Sequence, residues 1–167
     1  PKAAAEGQDF VMCCVGNDND LREVTLGATG TFAGMGKGKV FVDHTTASAE
    51  IARELYAAAK KGGFDCIDAP VSGGQAGAEN GALTVMCGGD AEVFTRAEKV
   101  VAAYAKACNL MGAPGSGQLA KMVNQICIAG LVEGLAEGLH FAKKAGLDGE
   151  KLIATISKGA AQSWQME

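Results

Sequence analysis

The sequence predicts an α/β fold that gives way, near residue 115, to a long helix and the start of an all-helical region. Two observations carry this. Over residues 8–111, short and continuously apolar runs alternate with stretches of helical period, the pattern of strands buried on both faces between crossover helices. Residues 117–145 then contain no proline and no strong break. The 24 glycines beside few aromatics fit the many tight turns such a fold needs.

Residues 8–15 (QDFVMCCV) form the first buried strand and stop at Gly16-Asn-Asp-Asn. A short helix spans 18–26, a glycine-rich stretch 27–38, and a second strand 39–43 closes at His44-Thr-Thr46. Ser48 caps a helix over 49–61, which Lys60 and Lys61 favour at its end and Gly62-Gly63 stop. Residues 64–69 make the third strand, and this order builds parallel, right-handed crossovers. A strand over 83–87, a helix over 91–105 and a strand over 107–111 follow. The unbroken stretch 117–145 would be a helix roughly 43 Å long. Its middle, 126–132, carries no polar residue and is expected to be wrapped by protein all round, as in a helix that bridges two domains or lies in a dimer core. Asp148 caps a last helix to about residue 158.

The chain has 167 residues, 48% of them hydrophobic, enough for one domain or pieces of two. A net charge of −4, with no run of Lys or Arg longer than two, argues against nucleic acid and anionic membrane surfaces as partners. No apolar run approaches the roughly 20 residues of a spanning helix, and residues 1–5 lack the regions of a signal peptide. The expectation is a soluble, intracellular protein, cytoplasmic or, in a eukaryote, in the mitochondrial matrix. Six cysteines without a C-x-x-C, far in sequence from His44 and His140, read as free buried thiols with no metal. No βαβ unit and no G-x-G-x-x-G precede the first strand, so the chain reads as a fragment, with an open strand edge around residues 10–14 that favours aggregation and no cofactor binding by the piece alone.

Two polar clusters could carry chemistry. In Asp68-Ala-Pro-Val-Ser-Gly-Gly74 a strand-like run stops at Ser72, Gly73 and Gly74, whose N–H groups could hold a small carboxylate; an ordinary turn is the alternative. In Gly117-x-x-x-Lys121-x-x-Asn124, Lys121 and Asn124 lie off the wet face set by Glu133, Glu137, His140 and Lys144. A lysine turned toward a cleft loses its proton more readily and can exchange one with a substrate oxygen. Gly117 would leave room for a ligand, and a solvated surface lysine is the bland alternative. Val15-Gly16-Asn17-Asp18 and Thr45-Thr46 end the other two strands, where a nucleotide could lie or where capping alone could explain Thr46 and Ser48.

Taken together, Asp68-Ala-Pro-Val-Ser-Gly-Gly74, its continuation Gly77-Ala-x-x-Gly81-x-Leu83, and Gly117-Gln-Leu-Ala-Lys121-Met-Val-Asn124-Gln125 resemble the β-hydroxyacid dehydrogenase family, the group of 3-hydroxyisobutyrate dehydrogenase and 2-hydroxy-3-oxopropionate reductase. The resemblance implies the C-terminal part of a Rossmann-type domain over 1–115 and, over 116–167, a long interdomain helix opening an all-helical dimerisation domain. It implies NAD or NADP as cofactor, a small hydroxy-acid substrate, and a homodimer or homotetramer of the full-length protein. Ser72, Gly73 and Gly74 would bind the substrate carboxylate, Lys121 would be the general acid/base, Asn124 would support both, and Val15, Gly16, Asn17 and Thr46 would contact the dinucleotide. The family's glycine-rich fingerprint and the residue that selects NAD or NADP would lie before Pro1, and a later cofactor-proximal lysine beyond Glu167. Gly16 and Ala49 stand where many members have proline. The other readings are a non-catalytic module of the same fold and a 6-phosphogluconate dehydrogenase or imine reductase relative; the presence of Lys121 speaks against the module and the imine reductases.

Overall fold

Three strands, β1 (Phe10–Cys13), β2 (Val40–Asp43) and β3 (Asp65–Asp68), lie side by side and parallel in chain order. A one-turn helix, α1 (Lys2–Ala5), precedes them, and α2 (Asp18–Leu26) and α3 (Ala49–Gly62) make the crossovers. Asn17 caps α2 by accepting from Asn19 N and Asp20 N, and Ser48 caps α3 by accepting from Ile51 N (3.1 Å). Every residue of β2 is buried, and its alternation separates two layers of core. Val40 and Val42 pack with Ile67, Val85 and Val101, while Phe41 packs with Val11, Ile51 and Leu55. Burying a side chain such as Ile51 or Leu55 contributes about 1.5–3 kcal/mol, so the apolar face of α3 suffices to fix it on the sheet. The structure is a computed structural model that describes residues 1–166, and its contacts divide the chain into a first unit, Pro1–Met122, and a second that begins at Val123.

Beyond β3 the strand does not end at a loop, as its sequence suggests. Val71–Ser72 forms β4, and the register runs on unshifted against β5 (Leu83–Gly88): Asp68 faces Gly88, Val71 faces Val85 and Ser72 faces Thr84, all antiparallel. Pro70 interrupts the ladder because it has no N–H; its carbonyl still accepts from Met86 N (3.0 Å). A short helix, α4 (Gly74–Glu79), then follows where the sequence suggested only a turn. The next helix, α5 (Ala91–Val101), stops four residues earlier than its periodicity predicts, because β6 (Ala105–Gly112) starts early and pairs parallel with β5. Lys60 ties this side together through Asp65 (3.1 Å) and Asp90 (2.8 Å), partly exposed pairs worth little individually. Among the described residues β1 pairs only with β2 and forms one margin of the sheet.

The long helix, α6 (Ser116–Lys144), has the predicted 29 residues. Its midsection departs from expectation. Ile126 is 72% exposed and Val132 is also exposed, while Leu131, partly exposed, borders an apolar hollow of the second unit. By length and composition α6 also meets the criterion for a membrane-crossing helix, contrary to the sequence-based estimate, although Glu133 and Glu137 interrupt it and core helices of globular proteins meet the same criterion. In the second unit α6 continues to α7 (Gly149–Ile156), which Asp148 caps by accepting from Lys151 N (3.1 Å). Leu135, Leu139, Ala142, Leu147, Leu152 and Ile156 line an apolar hollow there.

The cysteines also differ from the prediction. Cys66 and Cys87 are buried, but Cys13 and Cys108 are half-buried, and Cys14 and Cys127 are exposed: Cys13 and Cys14 lie at the end of β1, Cys108 on β6, which pairs with β5, and Cys127 on the uncovered helix.

Two features where β2, β3 and β5 meet α6 generate measurable consequences. A Cβ at Gly117 would run into Met86 O and lie 2.8 Å from Asp68 Oδ2. Because the obstacle is largely backbone, Gly117→Ala should destabilise the protein by about 1–3 kcal/mol in denaturant unfolding. Asp43 and Asp68 are register partners. Asp43 Oδ1 accepts from Thr45 N (2.9 Å), but Oδ2 is buried without a hydrogen-bond partner. Burial, reinforced by the Asp68 charge, pushes the Asp43 carboxyl up to about 6 from 3.8. The folded state therefore holds a proton that the unfolded state releases. This contribution is fully present below pH 3.8 and is lost as pH rises through about 6. It amounts to at most about 3 kcal/mol. Asp43→Asn should gain thermal stability relative to the parent as pH rises from about 4 to 7.

Candidate functional site

The start of α6 is held by a residue far upstream. Asp68, at the end of β3, accepts from Gly115 N (2.8 Å) through Oδ1 and from Gln118 N (3.0 Å) through Oδ2, filling donors that a helix leaves open. Burial pushes its carboxyl upward, while these N–H groups favour the charged form. Such a negative group at a helix N-terminus is also favoured by the helix dipole. Gly88 and Gly117 make the approach possible: a Cβ at Gly88 would lie 2.7 Å from Gly117 N and 2.6 Å from Asp68 Oδ1. Gly117 is thus filled against strand backbone, and the expected room for a ligand beside it does not exist.

Gln118, fully buried, connects α6 to the loop after β2. Its Nε2 donates to Thr45 O (2.7 Å), and its Oε1 accepts from Ala47 N (3.0 Å). Thr45 Oγ1 in turn accepts from Val15 N (3.0 Å), which draws together the loops that end β1 and β2. Val15 is half-buried, whereas Gly16, Asn17 and Thr46 are exposed. The Asn17 side chain caps α2 and donates to Asp20 (3.0 Å), and Ser48, not Thr46, caps α3. Beside this loop, His44 lies between Ala69 O (2.7 Å from Nδ1) and the Tyr104 hydroxyl (2.8 Å from Nε2). Burial lowers its pKa, which keeps the ring neutral: Nδ1–H donates to the carbonyl and Nε2 accepts from Tyr104.

Lys121 lies one turn beyond Gln118 on the same helical face and is only 9% exposed. Among the described residues its ammonium has no hydrogen-bond or ion-pair partner, and burial lowers its pKa from the ordinary 10.5. This is the desolvated lysine the helical geometry predicted, and it contrasts with Lys60, which two carboxylates hold.

Ser72 is half-buried at the end of β4, and Gly73 and Gly74 are exposed at the start of α4. Their φ angles of +133° and +61° are ones that residues with a Cβ rarely adopt. Among the described residues neither glycine N–H donates to a carbonyl or side chain, so successive donors face outward, the arrangement that receives an anion. No hydrogen bond joins Lys121 to this turn. Asn124, the first unit's neighbour along α6, belongs to the second unit, is half-buried, and donates to Gln125 Oε1 (2.9 Å).

Asp68 and Gln118 hold a framework role that sequence reasoning did not assign, and Thr45, read there only as a strand-end residue, joins them. Asp68 acts on a helix about 50 residues later, beyond any local capping pattern. Gln118 did carry a signal, since it sits three residues before Lys121 on the same dry face.

Residues 1–112 match the model of the NAD binding domain of 6-phosphogluconate dehydrogenase, and residues 115–167 that described as NAD-binding of NADP-dependent 3-hydroxyisobutyrate dehydrogenase. An uncharacterised oxidoreductase of Shewanella frigidimarina is 64% identical over the whole chain, which covers 57% of that protein. The protein named probable 3-hydroxyisobutyrate dehydrogenase-like 2, mitochondrial, of Arabidopsis thaliana is 44% identical over 98% of the chain and 54% of its own length. The structure of Mycobacterium tuberculosis 3-hydroxyisobutyrate dehydrogenase with L-serine superposes with a TM-score of 0.87 at 32% identity, covering 98% of this chain and 55% of that one. The chain thus spans a little over half the length of the relatives it matches. A mixed sheet of Rossmann type leading into one long helix, matched by family models over nearly every residue, places the chain in the β-hydroxyacid dehydrogenase family, whose cofactor is NAD or NADP.

Proposed function

We propose that the full-length protein interconverts a short 3-hydroxy acid, such as 3-hydroxyisobutyrate, and its semialdehyde with NAD or NADP. The observation that carries this is Lys121, a largely buried lysine whose ammonium has no partner among the described residues, on a helix docked at the ends of β2 and β3. A lysine held by a carboxylate would keep its proton; a desolvated one is poised to accept the proton of the substrate hydroxyl and return it to the aldehyde oxygen. The N–H groups of Gly73 and Gly74, with Ser72 beside them, hold the substrate carboxylate, and Asn124 orients the substrate and the lysine. When bound, the nicotinamide supplies the acceptor and donor of hydride.

Val15, Gly16, Asn17 and Thr46 border the cofactor in this proposal. The exposed Gly16 and Thr46 leave a polar, open edge at the carboxyl ends of adjacent parallel strands, which fits a dinucleotide. Asp18 and Asp20 occupy the first turn of α2, where they would repel a pyrophosphate. This edge therefore suits the ribose or the nicotinamide, neither of which is anionic. Residues 1–115 are then part of the NAD(P)-binding domain, and residues 116–167 open an all-helical domain through which the full-length protein forms a dimer or tetramer in the cytoplasm or mitochondrial matrix.

In the full-length protein, Lys121→Ala should lower kcat by about 10²-fold or more while the far-ultraviolet circular dichroism stays unchanged. Near-normal turnover of C3–C4 hydroxy acids, followed at 340 nm, would overturn the assignment. The lowered lysine pKa also sets the sign of a pH dependence. Oxidation of the hydroxy acid needs neutral Lys121, so kcat/KM should rise with pH through a pKa below 10.5, and Lys121→Arg should lose that limb.

A further inference from the structure

Cys87 and Cys108 lie on neighbouring parallel strands, β5 and β6, and their sulfurs are 3.6 Å apart. Val85 is the register partner of Cys108 and Leu110 that of Cys87, so the two cysteines are diagonal neighbours that turn to the same face. No other pair among the described cysteines brings its sulfurs into contact. We propose that Cys87 and Cys108 form a redox pair that hydrogen peroxide converts to a disulfide linking β5 to β6.

The sulfurs are already near each other, and the disulfide draws the two diagonal positions together. Closing the gap from 3.6 Å to the ~2.05 Å of a disulfide needs modest movement, provided the backbone can accommodate it. The register of the β5–β6 ladder shifts between Cys87 and Gly88, so the regular pairing is broken immediately beside the pair. The two thiols also differ in access. Cys108 is half-buried and can meet a small oxidant, whereas Cys87 is buried behind it. The Cys87 thiol donates toward Cys108 sulfur, which lowers the Cys108 pKa and raises that of Cys87, with burial adding to the rise. Cys108 is therefore the first to react, and Cys87 resolves.

The chemistry balances with peroxide as the sole oxidant. The Cys108 thiolate attacks one peroxide oxygen; an S–O bond forms, the O–O bond breaks, and hydroxide leaves and takes up a proton as water. The sulfur is oxidised by two electrons and the peroxide reduced by two. Cys87 sulfur then attacks the sulfenic sulfur, the S–S bond forms as the S–O bond breaks, and the second oxygen leaves as water with the thiol proton. This inference is independent of the role assigned to Lys121.

The test is peptide mapping of the full chain after treatment with hydrogen peroxide, denaturation and alkylation. The expected result is a linked pair of peptides containing Cys87 and Cys108, released by dithiothreitol, with alkylatable thiols falling from six to four. A Cys108→Ser variant should yield no such link and leave Cys87 alkylatable. Cys108 recovered as sulfinic acid, peroxide-oxidised protein in which Cys87 and Cys108 both remain alkylatable, or a preferred link through another cysteine would each overturn the proposal. The map of the unaltered chain decides the matter even if the variant does not fold.

Discussion

The carboxylate of Asp68 at the first turn of α6 is the interaction on which the remaining arrangement depends. Removing a carboxylate from water is costly, and the N–H groups of Gly115 and Gln118 offset that cost at the one place where a helix has donors to spare. The bond works only at close range, which Gly88 and Gly117 provide by having no side chains. Gln118 then reaches the β2–α3 loop, Thr45 in that loop reaches Val15, and the ends of β1, β2 and β3 are joined to a single helical turn. Lys121 follows one turn later. Its burial and lack of a partner are consequences of where that turn is pinned.

The same region carries an electrostatic tension. Asp43 and Asp68 stand opposite each other in neighbouring strands, and only Asp68 has a full set of donors. An unsatisfied buried oxygen is uncommon in folded proteins. Here the structure accommodates it by favouring the proton on Asp43, while at the helix end the N–H groups around Asp68 oppose the upward push of burial. Two acids of one type, on adjacent strands, thus differ in their donors: backbone N–H groups reach both oxygens of Asp68 but only one oxygen of Asp43.

Much of the fold was legible because its signals are local. The apolar runs of β1, β2 and β3, the caps at Ser48 and Asp148, and the unbroken length of α6 are each written within a few residues. What was not legible required partners distant in the chain. The extension of β3 through Pro70 into β4 depends on pairing with β5, and the early end of α5 depends on β6 claiming Ala105. The exposed midsection of α6 has the same origin: an apolar sequence predicts that a surface should be covered, but not which segment covers it. At the candidate site, the dry face of α6 was readable from helical spacing, whereas the purpose of Gly117 was not. Its lack of a side chain serves the approach of Met86 and Asp68, information present only in three dimensions.

Gly117 also has a meaning for how this architecture can be altered. Most helices stand off a sheet by the thickness of the side chains between them, so their height drifts whenever those side chains change. At residue 117 there is no such cushion, and α6 rests on main chain, whose dimensions do not vary with sequence. The height of the helix at that point is therefore set by covalent geometry. Substitutions elsewhere in the core can exchange volume for volume while the origin from which Lys121 is measured stays where it is.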